Sequence, residues 1–261
     1  IFNSFHGWWS IGAVCGGFIG SAARQAGIPV WAQCVAATVV FGGMSLGAKT
    51  LLLPGLDHDP QAERSRQERR RGLPAGVITR LSAFGLLGAS AGLMEDTGST
   101  WGAIYLDRQF EVIPFVAGMA FVGLQGAQLI GRFTGDALVS RIGPRFAVVQ
   151  GGIIAFLGMG LSLIWPSPTT AILGFACVGW GVATAIPSAM HAADELPDMN
   201  HGDGLMIVTW MMRIGFFAGP PLIGALSEAT DLRLALWVVP AFAVVILALS
   251  PSLGRSVGGR R

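Results

Sequence analysis

The chain reads as eight long apolar stretches separated by short polar gaps, at roughly residues 8–23, 30–53, 78–98, 112–131, 146–165, 169–190, 205–226 and 234–250. Each is close to the ~20 residues a helix needs to cross a hydrocarbon layer of ~30 Å. The pattern therefore predicts eight membrane-spanning helices and an all-α, polytopic bundle. Basic residues are spread unevenly over the gaps. Arg64, Arg66, Arg69, Arg70, Arg71 and Arg80 follow the second span, Arg132, Arg141 and Arg145 the fourth, and Arg255, Arg260 and Arg261 the eighth. Only Arg24, Arg108 and Arg233 occupy the opposite gaps, while Lys49 and Arg213 fall within spans. Basic loops remain cytoplasmic. The connections after spans two, four and six and the C-terminal tail are accordingly expected inside the cell.

Composition agrees with this reading. The chain is 52% hydrophobic and 12% charged, with a mean hydropathy of +0.60, whereas a soluble domain is about a quarter charged. A net charge of +2, divided between membrane sides, leaves no footprint for nucleic acid. Cys15, Cys34 and Cys177 all lie in apolar spans and lack metal-ligand spacing, so neither a disulfide, a metal nor a cofactor is expected. A phosphate-binding Gly-Lys-Ser/Thr loop is absent, which argues against direct ATP use.

The chain begins Ile1-Phe2-Asn3-Ser4-Phe5-His6, with no initiator Met and no secretory-signal pattern. It is expected to start inside a longer protein. An internal repeat points the same way. Gly12, Gly16, Gly17 and Gly20 mark the first span, and Gly215, Gly219, Pro220 and Pro221 the seventh. Ile11-Gly12 aligns with Ile214-Gly215, and Gly16 with Gly219, so spans one and two read as a copy of spans seven and eight. With a six-span unit, the chain holds two spans of one unit and all six of the next. The alternative is that glycine at four-residue spacing simply lets membrane helices approach closely.

Several passages resemble the major facilitator superfamily of secondary transporters, in a bacterial branch of sugar-permease-like and uncharacterised inner-membrane members. The run from Gly131 and Arg132 through Gly135, Asp136 and Arg141 to Gly143 and Arg145 is similar to the family's cytoplasmic signature loop. Gly12 through Ser21 resembles its fifth-helix glycine motif, with Gly17 in place of proline and Ser21 in place of the last glycine. Glu95, Trp101 and Tyr105-Leu106 resemble its seventh helix. The resemblance implies two six-helix bundles in the complete protein and places this chain from the fifth helix onward. Residues 1–54 would then be the last two helices of the first bundle, 55–77 a cytoplasmic linker, 78–252 the second bundle and 253–261 a cytoplasmic tail.

Candidate functional residues are those the membrane makes costly. A charge at bilayer centre costs about 2.5–3.5 kcal/mol by insertion scales and usually faces a bundle interior or a wet cavity. Glu95, Asp96 and Arg213 qualify. Gly88, Gly92, Glu95, Ser99 and Gly102 fall on one strip of the third span, which suits either a close helix contact or a substrate path. Glu95 is a candidate proton-coupling carboxylate. Alternatively Glu95 and Asp96, about 26 Å from Ile78 at ~1.5 Å per residue, sit wetted at the outer end. Arg213 lies well inside the seventh span among Thr209, Trp210, Phe216 and Phe217, where ring faces can hold a guanidinium. It is expected to bind an anionic or polyhydroxylated solute or to pair with a carboxylate in one of two conformations, the alternative being a fixed ion pair to a neighbouring helix. Pro220-Pro221 remove two helical donors and favour a kink or break that could gate the path. Gln125 and Gln128 share a face of the fourth span, and Trp180 lies deep in the sixth.

Asp136, Arg141 and Arg145 are expected to form a charge latch between two helices. The Arg64–Arg71 run reads as a solvated topology anchor. Trp101, Tyr105, Trp165 and Trp237 read as interfacial anchors.

The sequence thus points to a multi-pass inner (plasma) membrane transporter, monomeric when full length. It would move a small-molecule solute by alternating access, either facilitatively or driven by an ion such as a coupling proton. As given, without four helices, the chain is not expected to transport alone. Two other classes stay open: a non-transporting sensor or scaffold derived from a transporter, and a membrane-embedded lipid-modifying enzyme. The enzyme would need converging acidic groups, and the one dense acidic stretch, Asp194 to Asp203, has no recognisable spacing.

Overall fold

The computed structural model describes residues 2–48, 74–196, 199 and 202–255. The Arg64–Arg71 run and most of the expected linker lie outside these residues. The elements are α1 (Phe2–Gln25), α2 (Val30–Ala48), α3 (Ala75–Phe110), α4 (Pro114–Ile142), α5 (Pro144–Ile164), α6 (Pro168–Ala183), α7 (Ala185–Asp194), α8 (Asp203–Ala229), α9 (Leu232–Ala235) and α10 (Val238–Leu249), followed by a 3₁₀ segment at Ser250–Arg255. No strand occurs among the described residues.

Seven helical stretches among the described residues are long and apolar enough to cross a membrane: α2, α3, α4, α5, the α6–α7 pair, α8 and Leu232–Gly254. The eighth expected span, α1, is a helix of 24 residues but is not among them. Its glycines, serines, Asn3 and Arg24 dilute its apolar content, so length and hydropathy part company there.

Turn chemistry explains the boundaries. Gly143, at φ 83°, takes the chain out of α4, and Pro144 opens α5 at a position where a missing N–H costs nothing. Ser167 and Thr170 form a capping box ahead of α6. The sixth predicted span divides at Thr184 into α6 and α7. Pro187 lacks the N–H that a continuous helix would direct at the Ala183 carbonyl, which favours the break.

The core is built around α3, which touches α4, α6, α7, α8 and α10. Phe84, Leu87, Met94, Tyr105 and Leu106 of α3 are fully buried, with Leu124, Phe175, Ile223 and Ile246 from neighbouring helices. Small residues set the helix spacing. A Cβ added to Gly215 would strike the Ala89 carbonyl, and one added to Gly179 the Leu124 carbonyl. Gly151 and Gly181 face each other so closely that an added Cβ on either meets the other's oxygen at 2.5 Å. Without water in hydrocarbon to drive apolar association, such close backbone approach supplies the dispersion contact that holds helices together.

Helix α1 runs antiparallel along α4. Gly17 abuts Phe121, and Gly118 abuts Ser21. At the far end Phe115 N–H donates to Gln25 Oε1 at 3.3 Å. Helix α2 has no buried residue.

Candidate functional site

Two sequence features meet at the α3–α4 contact. Gln125 and Gln128 share one face of α4 as expected, and Arg132 continues that face one turn further along. Glu95 on α3 points at it, with Glu95 Oε2 3.8 Å from Arg132 Nη2. All four are inside the protein: Glu95 is 4% exposed, Arg132 7%, Gln125 1% and Gln128 0%. The two amides lie close enough to act on the Glu95 carboxylate, and Gln125 Nε2 also reaches Ser99 Oγ at 3.4 Å.

This corrects the sequence reading twice. The third span was expected to end near residue 98, and the alternative reading of Glu95 placed it at a wetted end there. Instead α3 is 36 residues long. Glu95 lies about 30 Å from Ala75 and about 22 Å from Phe110 at ~1.5 Å per residue, near the middle. Arg132, taken as a loop cation, is a buried member of α4, because that helix runs unbroken to Ile142. The signature stretch is therefore helical over Gly131–Ile142, with Gly143 alone as its turn.

Helix α1 completes the cluster. Arg132 Nη1 donates to the buried Ser10 Oγ at 2.6 Å, and its guanidinium stands 5.5 Å from the Trp9 ring centroid. Neither Ser10 nor Trp9 is singled out by sequence. The signal that could have found Arg132 is its i+7 and i+4 spacing from the two glutamines. Several polar atoms here have no hydrogen-bond partner: Glu95 Oε2, Gln125 Oε1 and both amide atoms of Gln128. Unsatisfied groups in hydrocarbon are costly, and these atoms leave the cluster with hydrogen-bonding capacity to spare.

The remaining candidates separate. Asp96 is half-buried beside Thr100, one turn on. Arg213 is exposed and, among the described residues, makes no ion pair or ring contact. The expected aromatic cradle is absent because its neighbours Trp210 (65% exposed) and Phe217 (84%) project along the same open face of α8. Trp180 packs over Gly131 and serves the α4–α6 contact. Pro220 and Pro221 lie inside α8, which continues to Ala229, so no break forms there. Gly88 and Gly92 face α8, whereas Gly98 and Gly102 meet Phe175 of α6. The single expected strip thus serves several neighbours over the length of α3.

Among the glycines, Gly215 and Gly219 pack on α3, but Gly12, Gly16 and Gly20 meet nothing within 4 Å. The packing expected of those three is not made among the described residues. Asp136 and Arg141 lie on one helix, about 140° apart around its axis, so their mutual pairing cannot tie two helices together. Arg145 instead stands over Phe146 at 5.7 Å with its stem against Gly254. Of the expected interfacial aromatics, Trp165 is exposed but Tyr105 is 1% exposed, edge-on to Phe110 at 5.7 Å. In the acidic stretch, Asp194 Oδ1 accepts from Gly202 N at 2.6 Å, a turn-closing role.

The central helix α3, with Glu95 buried near its middle, is ringed by apolar helices, and comparison with known proteins decides the family. The sequence model of the Major Facilitator Superfamily matches residues 75–253. The chain belongs to the major facilitator superfamily. Within this superfamily it is 29% identical over 256 residues to an uncharacterized transporter, y4wD, of Sinorhizobium fredii, covering 97% of this chain and 65% of that protein. It is 25% identical over 255 residues to an uncharacterized MFS-type transporter of Yersinia pestis, covering 97% and 64%. A membrane protein of Rhizobium meliloti, MosC, is 29% identical over 181 residues, covering 69% and 44%. The chain thus spans at most about two thirds of the length of these relatives. No solved structure matches it significantly. As a major facilitator with seven apolar helices among its described residues, it is a multi-pass membrane protein.

Proposed function

We propose that the chain is the greater part of an inner-membrane transporter that moves a small solute by alternating access, coupled to a proton carried at Glu95, with its C-terminus in the cytoplasm. The observation that carries this reading is the buried Glu95–Arg132 pair, whose guanidinium is also held by Ser10 of α1. Ionised, the pair is neutral overall and links α3 to α4. Protonation of Glu95 removes that attraction and leaves Arg132 to its contacts on α1, Ser10 and the Trp9 ring among them. One proton therefore shifts weight from the α3–α4 link to the α1–α4 link, which is how a small chemical change biases a packed, two-state assembly.

The open face of α8 is the proposed solute path. Arg213 lies about 15 Å from Asp203 at ~1.5 Å per residue, too deep to face lipid cheaply. With Met206, Trp210 and Phe217 it offers one cation among apolar and aromatic groups, suited to a solute that is anionic or rich in hydroxyls.

The test is proton-linked uptake by proteoliposomes holding the complete gene product, challenged with a panel of sugars, polyols and organic anions. At least one solute is expected to move protons. Glu95→Gln should remove the pH dependence of uptake, and Arg213→Gln should raise the half-saturating solute concentration at least tenfold. An unchanged pH profile and rate in Glu95→Gln would remove Glu95 from the mechanism. Uptake unaffected by Arg213→Gln would clear α8 of its role. Absence of any flux would favour a sensor or scaffold descended from a transporter.

A further inference from the structure

The Ile142 end of the molecule carries a feature apart from the Glu95–Arg132 cluster and the open face of α8. An apolar groove of about 470 Å³ runs along α5, lined by Ile142, Phe146, Val149, Gln150, Ile153 and Ile154. Next in sequence to its lining residues Ile142 and Phe146 are two exposed arginines, Arg141 and Arg145. The Arg145 guanidinium sits 5.7 Å from the centroid of Phe146, a wall of the groove, and its stem leans on Gly254. The cation is thereby held over the groove mouth. Neither arginine makes an ion pair among the described residues. The nearest carboxylate in sequence, Asp136, lies about 140° around α4 from Arg141.

We infer that this groove seats one acyl chain of an anionic phospholipid whose phosphate is held by Arg141 and Arg145. Charge and apolarity are in the right order along one surface: two guanidinium forks at the helix ends, then a continuous apolar trough running toward the membrane interior. Guanidinium is the group suited to gripping phosphate through two parallel hydrogen bonds. Basic pockets at helix ends on one membrane side are a recognised setting for anionic head groups. Gln150 lines the groove five residues beyond Arg145, about 7.5 Å along the helix, at the depth of the glycerol esters of a lipid whose phosphate is at Arg145, where its amide N–H can donate to an ester carbonyl.

The experiment is native mass spectrometry of the full chain released from mild detergent, loaded with an equal mixture of phosphatidylglycerol and phosphatidylcholine of identical chains. One phosphatidylglycerol should be retained with roughly tenfold preference over phosphatidylcholine. That preference should fall toward parity in the Arg141→Gln/Arg145→Gln variant and, in the unmodified chain, at high ammonium acetate concentration. Val149→Trp, which fills the groove, should lower retention of both lipids, and glycerol phosphate without acyl chains should not compete. Equal retention of the two head groups by the unmodified chain at low salt would mean annular lipid only and overturn the assignment. So would a preference that survives loss of both arginines. Should the double variant fail to fold, the salt series on the unmodified chain decides. None of these readouts depends on transport.

Discussion

At the scale of single residues, the decisive fact is that one guanidinium serves two helices. Arg132 faces Glu95 at 3.8 Å and holds Ser10 at 2.6 Å, all at positions shielded from solvent. Removing one partner of a buried pair leaves an uncompensated charge, which costs about 3–5 kcal/mol, whereas replacing both by groups of similar volume is often neutral. Arg132→Met is therefore expected to lower the melting temperature of the detergent-solubilised protein markedly. Glu95→Gln/Arg132→Met should recover most of that loss. A double variant as unstable as the single one would show that Arg132 is held by its α1 contacts and not by Glu95. The two glutamines and Glu95 were legible as membrane-embedded polar groups. Arg132 was not, because a cation at the end of an apolar window scores the same whether it is wetted or paired.

At the scale of elements, glycine positions separate into those that set helix spacing and those that do not. Gly215 has no room for a side chain against the Ala89 carbonyl, whereas its counterpart in the repeat, Gly12, and the neighbouring Gly16 have open space around them. Gly215→Leu should push α8 off α3 and abolish a monodisperse elution profile, because overpacking against backbone has no flexible partner to absorb it. Gly16→Leu in the same chain should elute and melt like the parent, and a comparable loss there would show that Gly16 is packed after all. The proline pair has a weaker effect than its sequence suggests. Pro220 and Pro221 cannot donate to the Phe216 and Phe217 carbonyls, yet α8 continues through them. Neighbouring hydrogen bonds keep the turn helical, as membrane helices commonly permit.

At the scale of the whole molecule, α1 packs chiefly on α4 among the described residues, with an exposed ion pair from Arg24 to Asp107 of α3 at 3.9 Å. If transport moves α1 against α4, locking them together must stop it. Ser21 and Gly118 suit such a lock, since an added Cβ on Gly118 lies 2.7 Å from Ser21 Cβ, so that parting the two helices by about 1 Å reaches the separation a disulfide spans. With Cys15, Cys34 and Cys177 replaced, Ser21→Cys/Gly118→Cys should arrest uptake under oxidising conditions and recover it on reduction. Uptake that continues with the disulfide formed would place the moving contact elsewhere.

The order of the long helices and their apolar character were readable in one dimension, because hydropathy is a sum over some twenty consecutive side chains and tolerates local error, although α1 falls outside the seven stretches apolar enough to cross a membrane. The family resemblance could be read from motifs for a similar reason. The length of α3, the helical course of Gly131–Ile142, the exposure of Arg213 and the union of Glu95, Arg132 and Ser10 were decided only in three dimensions. Each depends on what a neighbouring helix presents at the same depth. A single charged or small residue carries no information about its partner until two helices are set side by side.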